Sequence, residues 1–286
     1  MTPRPSTPRP EWRLPGRSIN WEPWLAPVGV TLLLLMLPFV FGLGREGGME
    51  LANFEPLFRP STLQFLAFGL VWTVSVALVA ILVSLPLATL FALGRLSTRS
   101  VIRWPSIAYI EGIRSLPVLL LIFYMFFRLG SGQVPFISKD ALAVIIALTL
   151  YTAAVNAEVI RAGIVSLPKG QFEAAQALGM NYPHLMRYVI LPQTFRRVLP
   201  TLIAQFTTVV KDTSLGAIIG TVELAQRGRI VFQGFRNPLE TYFVIAIMYF
   251  VVNFILGRIS LRIQRRRKTT PLPSEVQEKL LAEQMG

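Results

Sequence analysis

Residues 63–93 read LQFLAFGLVWTVSVALVAILVSLPLATLFAL, a run without a single charged side chain. A helix rises about 1.5 Å per residue and the hydrocarbon core of a bilayer is roughly 30 Å thick, so about 20 apolar residues suffice to cross it. This stretch is long enough to cross and also to tilt or protrude. Lipid offers no water to backbone N–H and C=O groups, so a run of this length must satisfy them internally as a helix, and nothing here alternates with the period of a barrel strand. Working outward, residues 25–43, 105–127, 141–163, 198–220 and 242–263 have the same character. The sequence therefore predicts an all-α fold, a polytopic membrane helix bundle of about six transmembrane helices.

Composition agrees. Of 286 residues 53% are apolar and only 15% charged, outside the balance of a soluble domain. The net charge of +13 would suggest nucleic acid in a soluble chain, but its position gives it another meaning. With both termini placed in the cytoplasm, the inner segments hold nineteen Arg and Lys and the outer ones seven, while Arg114 and Lys211 sit within spans. The charge is thus a topology signal and no nucleic-acid partner is expected. Arg227, Arg229 and Arg236, all outside, fit this scheme least well. The Pro- and Arg-rich tail, residues 1–24, has little to bury and is expected to be disordered and to lie against anionic membrane lipid. No small-residue cleavage pattern follows 25–43, so that span is expected to be retained. Beyond the basic run Arg265 to Lys268, residues 274–284 read as a short helix with Ser274 and Gln277 at capping-box spacing.

The longest polar interruption, residues 166–197, is more than a connection. It carries Glu173, Ala174 and Ala175, then Gly179, then Val189, Leu191 and Pro192. Residues 171–178 are good helix formers and Gly179 is a natural stop; a second helix would begin near Tyr182 and Pro183. Two short helices on the membrane surface, the first exposing Ala174 and Ala175, suit packing into a groove of another protein.

At these residues the chain resembles the permease subunits of bacterial ABC importers, whose loop signature is Glu-Ala-Ala, three residues, Gly, nine residues, Ile, one residue, Leu-Pro. Only the Ile differs, as Val189. The resemblance runs from about Gln64 to Arg267 and narrows to the polar amino acid subgroup through three stretches. Tyr109 to Pro117 looks like the element ending in Arg-Gly-Thr-Pro, with Ser115 and Leu116 in place of Gly and Thr and Leu121 where Gln is common. Glu158 to Gly163 looks like Glu-Ile-Val-Arg-Gly-Gly, and Lys211 to Leu215 matches Lys-Asp-Thr-Ser-Leu. The resemblance implies a five-helix type I importer core at 63–263, an added helix at 25–43, an ATPase-coupling loop at 166–197 and a cytoplasmic tail at 264–286. It implies a multi-pass protein of the bacterial inner membrane that translocates a polar amino acid by alternating access.

An ionisable side chain inside a span costs roughly 2.5–3.5 kcal/mol on insertion scales, so each is a candidate for a path or a partner. Lys211 and Asp212 lie deep in the fifth span, with Thr208 one turn below Asp212. Asp212 with Thr213 and Ser214 could bind the ammonium and carboxylate of a zwitterion, or Lys211 and Asp212 could lock the span to its neighbours. Asn156 shares a face with Thr152 and faces either substrate or an adjacent helix. Glu158 and Arg161, three apart, read as an ion pair or as a gate. Arg114 and Ser115 precede the Leu116-Pro117 break, where a kink lining the path is expected.

No Gly-x-x-x-x-Gly-Lys-Ser/Thr loop occurs, so ATP and Mg are expected to be used by a partner ATPase dimer, not by this chain. The absence of Cys and the single His184 argue against a resident metal or a catalytic triad. No cofactor and no catalytic residue are expected. No segment is large enough to capture solute outside the membrane, so an external solute-binding protein and a second permease subunit, the same or a homologous chain, complete the expected assembly. A secondary transporter is the main rival, but neither an inverted repeat nor a ring of acidic residues is visible.

Overall fold

The computed structural model describes residues 49–130 and 137–268. The expected span at 25–43, the tail before it and the helix at 274–284 lie outside the described residues. A 3-10 turn, Leu51–Phe58, leads into α1 (Pro60–Arg95), followed by α2 (Ser100–Ser115), α3 (Val118–Arg128) and α4 (Lys139–Val165). The loop carries α5 (Lys169–Ala177) and the single turn α6 (Tyr182–Leu185), which passes through a π-turn, Met186–Ile190, into α7 (Leu191–Asp212). A 3-10 stretch, Thr213–Ile219, α8 (Leu224–Phe235) and α9 (Pro238–Lys268) complete the all-helical architecture.

Among the described residues four helical runs are long and apolar enough to cross a membrane: α1, α4, the continuous run Tyr182–Ile219 and α9, the last as Pro238–Arg262. Helix α4 is the central one. In its most apolar window 61% of residues are buried, against 11% in α9, so α9 is peripheral. Ala143, Ala147, Ala153, Ala154 and Ala157 of α4 are fully buried, and side chains this small let α1 and α7 approach its axis closely. Gly163 marks one such close approach. A Cβ there would stand 2.4 Å from Val198 Cγ1 of α7, so even Ala would force the two helices apart.

The expected span at 105–127 is a broken pair, α2 and α3, bent by 104° at the expected Leu116-Pro117 break. Eleven residues of α3 rise only about 16 Å, too little to cross alone. The break has a local cause. Leu116 takes the extended conformation that a following proline imposes (φ −87°, ψ 138°), and Pro117 then caps α3. The fifth span also differs from its expected bounds. Leu191 and Pro192 belong to the start of α7, and beyond Asp212 the helix tightens to 3-10 until Gly220, at φ 90°, ends it.

The loop helix α5 stops where expected. Gly179 adopts φ +75°, the left-handed region that favours glycine, and Met180 N–H donates to the Ala175 carbonyl (3.2 Å) while Gly179 N–H donates to Gln176 (2.9 Å). Asn181 then caps α6 by accepting from His184 N–H at 3.1 Å. Three apolar clusters hold the bundle: one at the loop end joining Ile160 and Ile164 to Ala175, Leu185 and Ile190, a middle one around Ala77, Leu121, Val144 and Val210, and one joining Leu66 to Leu224 and Ile245.

Candidate translocation path and coupling surface

Helix α7 has one face that neither the core nor lipid suits. Arg197, Thr201, Ala204, Thr208 and Lys211 are exposed at spacings of three and four, with Gln205 and Asp212 half-buried beside them, while Val198, Leu202 and Val209 turn inward. The other spans expose apolar side chains instead: Phe68, Val71, Leu78 and Leu82 on α1, Phe250, Val251, Phe254 and Ile255 on α9. A polar stripe on a spanning helix requires water or a protein neighbour, because hydrocarbon cannot satisfy its hydroxyls, amide and charges.

Among the expected path residues, Lys211 and Asp212 lie on this stripe. Thr213 does not: it is fully buried and its hydroxyl donates to the Val210 carbonyl at 2.8 Å. Ser214 donates to the Lys211 carbonyl at 2.7 Å. Arg114 and Ser115 are exposed at the end of α2, with the Ser115 hydroxyl bonded to the Gly112 carbonyl at 2.8 Å. Asn156 is elsewhere. It is fully buried within α4 and neither amide atom has a hydrogen-bond partner among the described residues. Glu158 pairs with Arg161 at 3.0 Å and also with Arg95, at the end of α1, at 3.1 Å.

In the loop, Glu173 and Ala174 are exposed, whereas Ala175 is only 4% exposed and packs into the apolar cluster under the loop. The expectation that both alanines face outward is thus corrected: adjacent helical positions are about 100° apart, and one must turn in to anchor α5. Leu178, next to Gly179, is 82% exposed, and Tyr182 and Tyr188 are also exposed, so the loop presents an apolar patch beside Glu173. Leu191 packs against the loop cluster and Pro192 is exposed. Gln193 Nε2 donates to Gln171 Oε1 at 2.9 Å and Arg197 donates to the Ser166 carbonyl, which ties the loop to the base of α7.

Three charged residues were not singled out by the sequence reading. Arg95 and Glu111 join Glu158 in one network, and Glu223 is a fully buried carboxylate that caps α8. Glu223 accepts from the Tyr249 hydroxyl of α9 at 2.7 Å, from Thr73 of α1 at 3.4 Å and from Gln226 N–H at 2.8 Å. The only hint in the sequence is an acidic residue between Val222 and Leu224 at a helix start. Among the described residues no group of three or more His, Cys, Asp or Glu side chains could hold a metal ion.

Comparison with known proteins gives a consistent answer. The family described as binding-protein-dependent transport system inner membrane component matches residues 80–269. The glutamate transport system permease protein GluD of Corynebacterium glutamicum is 34% identical over 226 residues, 78% of this chain and 83% of the relative. The probable glutamine ABC transporter permease protein GlnP of Bacillus subtilis is 34% identical over 219 residues, 75% of this chain and 99% of that protein. A crystal structure of an amino acid ABC transporter with histidines superposes with a TM-score of 0.65 at 29% identity, covering 72% of this chain and 95% of that one. With the helical bundle and the sequence match in agreement, the chain belongs to the family of binding-protein-dependent transport system inner membrane components.

Proposed function

We propose that this permease carries polar amino acids inward along the exposed polar face of α7. That face is the observation that carries the reading: a membrane subunit exposes Thr201, Thr208 and Lys211 along one spanning helix only where a path or a second subunit covers them. The relatives named for glutamate and glutamine transport support a small zwitterionic solute. Its carboxylate and ammonium are matched by Lys211, Asp212 and Thr208, with Arg114 and Ser115 at the bent pair as a second lining element. Asn156 and Glu158 contribute from α4 by setting how that helix packs, and Thr213 and Ser214 by fixing the 3-10 turn behind Asp212.

The power comes from elsewhere. A separate ABC ATPase dimer hydrolyses ATP with Mg and grips Glu173, Ala174, Leu178 and Gly179, with Leu191 and Pro192 passing the motion into α7, which starts there. A second permease chain closes the path, an external binding protein delivers the solute, and both termini face the cytoplasm with the basic run at the end of α9 on that side. The test is Asp212→Asn in proteoliposomes holding permease, ATPase and binding protein. Uptake is expected to fall roughly tenfold or more, the scale of one lost charged hydrogen bond, with the complex still assembled. Loss of assembly together with uptake would instead make Asp212 a structural residue.

A further inference from the structure

Arg95, the last residue of α1, has a divided guanidinium. Its Nη2 donates to Glu111 Oε1 on α2 at 3.0 Å, and its Nη1 lies 3.1 Å from Glu158 Oε1 on α4. The other oxygen of Glu158 accepts from Arg161 Nε at 3.1 Å. Two cations and two carboxylates thus connect three helices near the loop end of the bundle.

The contacts are not equivalent. Glu158–Arg161 is local to α4 and aligned as a hydrogen bond. Arg95–Glu111 is aligned too, with the Glu111 side chain 60% exposed. Between Arg95 Nη1 and Glu158 Oε1 the atoms are close and shielded from solvent, yet they do not meet hydrogen-bond geometry. That contact is a shielded Coulomb attraction without directional bonding, so it tolerates a change of geometry that an aligned hydrogen bond does not. It joins α1 to α4, while the aligned link holds α2 three residues ahead of Arg114 and just before the 104° break.

We propose that Arg95 is a positioning residue for transport. It holds the end of α2, and with it Arg114 to Pro117, at the inner mouth of the path, and its contact with Glu158 opens and re-forms as the broken span moves. The proposal rests on the reading of α7 as the path. Without Arg95 the Glu158 Oε1 loses its ion-pair contact, but the carboxylate keeps Arg161 on its other oxygen and Glu111 reaches solvent, so the variants chosen retain a charge or a polar group at each position. Lysine keeps the charge but not the planar fork that spans two carboxylates, so the conservative change does not restore the bridge.

Arg95→Lys and Glu111→Gln are compared with the unaltered chain in proteoliposomes containing ATPase and binding protein, with uptake and ATP hydrolysis measured together. Uptake per ATP hydrolysed is expected to fall about tenfold in both variants, with an unchanged half-saturating substrate concentration. A normal ratio in both variants would overturn the proposal, as would a fall in uptake and hydrolysis in step, which marks a structural role. A raised half-saturating concentration would also overturn it, by making Arg95 a substrate contact. If the unaltered chain itself moves no amino acid in this assay, the failure belongs to the functional reading and not to Arg95.

Discussion

Glu223 shows how much one buried side chain can organise. Its carboxylate caps α8, takes the Tyr249 hydroxyl from α9 and meets Thr73 of α1, while Leu224 N–H donates to the same Thr73 hydroxyl at 3.2 Å. Removing the acceptor strands a phenol and a helix N-terminus out of water, at about 1–3 kcal/mol for each unmet group. Glu223→Ala is therefore expected to lower the thermal midpoint of the purified complex by several degrees, and Glu223→Gln, which keeps an acceptor oxygen, by clearly less. Equal shifts for the two would contradict this account of the cap. Only the cap left a trace in the chain, an acidic residue at a helix start; the partners left none, because Thr73 stands 150 positions from Glu223 and Tyr249 lies on another helix. Arg95 and Glu111 were missed for the same reason. Gly179, by contrast, was readable: a glycine closing a run of helix formers announces its own left-handed turn, observed at φ +75°.

Among the elements, the loop and the broken span behave differently. In α5 the helix formers of 171–178 and the Gly179 stop pointed to a helix, but which alanine faces outward depended on where the loop sits on the bundle: Ala175 anchors and Ala174 is presented. Leu178 stands 82% exposed at the end of that helix, an apolar side chain left largely uncovered by the described residues. Leu178→Asp is expected to weaken ATPase retention on the detergent-purified permease roughly tenfold, leaving membrane insertion unchanged, which a co-purification titration measures. Gly179→Asp is expected to do the same by forcing a β-carbon into left-handed backbone at about 1–2 kcal/mol. Retention at the unaltered level in both would remove the coupling role from this loop. In the broken span, Leu116-Pro117 signalled a bend, but the size of that bend did not follow from the sequence. Proline excludes the helical conformation from Leu116, and it is the packing of α2 and α3 on α4 that turns this freedom into 104°.

Across the whole molecule, the exposed surface divides by helix. Lipid suits α1 and α9, whose outward side chains are apolar, and the polar face of α7 requires a different neighbour. The apolar runs made the membrane class legible, and the spacing of Glu173 to Pro192 made the importer class legible. The faces were not, because a run rich in apolar residues conceals which side packs inward until its neighbours are in place. Of the arginines that fitted the charge asymmetry least well, Arg227 donates to the Phe65 carbonyl at 3.1 Å and lies over the Phe65 ring, so part of that charge is absorbed by the fold. The claim that α7 lines the path has a direct measurement, since the chain contains no cysteine to interfere. Thr208→Cys and Phe254→Cys, each in the assembled complex, are exposed to a membrane-impermeant, charged thiol reagent with and without substrate-loaded binding protein and ATP. The account predicts that Cys at 208 reacts, that turnover with substrate changes its rate, and that Cys at 254 stays inert in lipid. Reaction at 254 with none at 208 would contradict it.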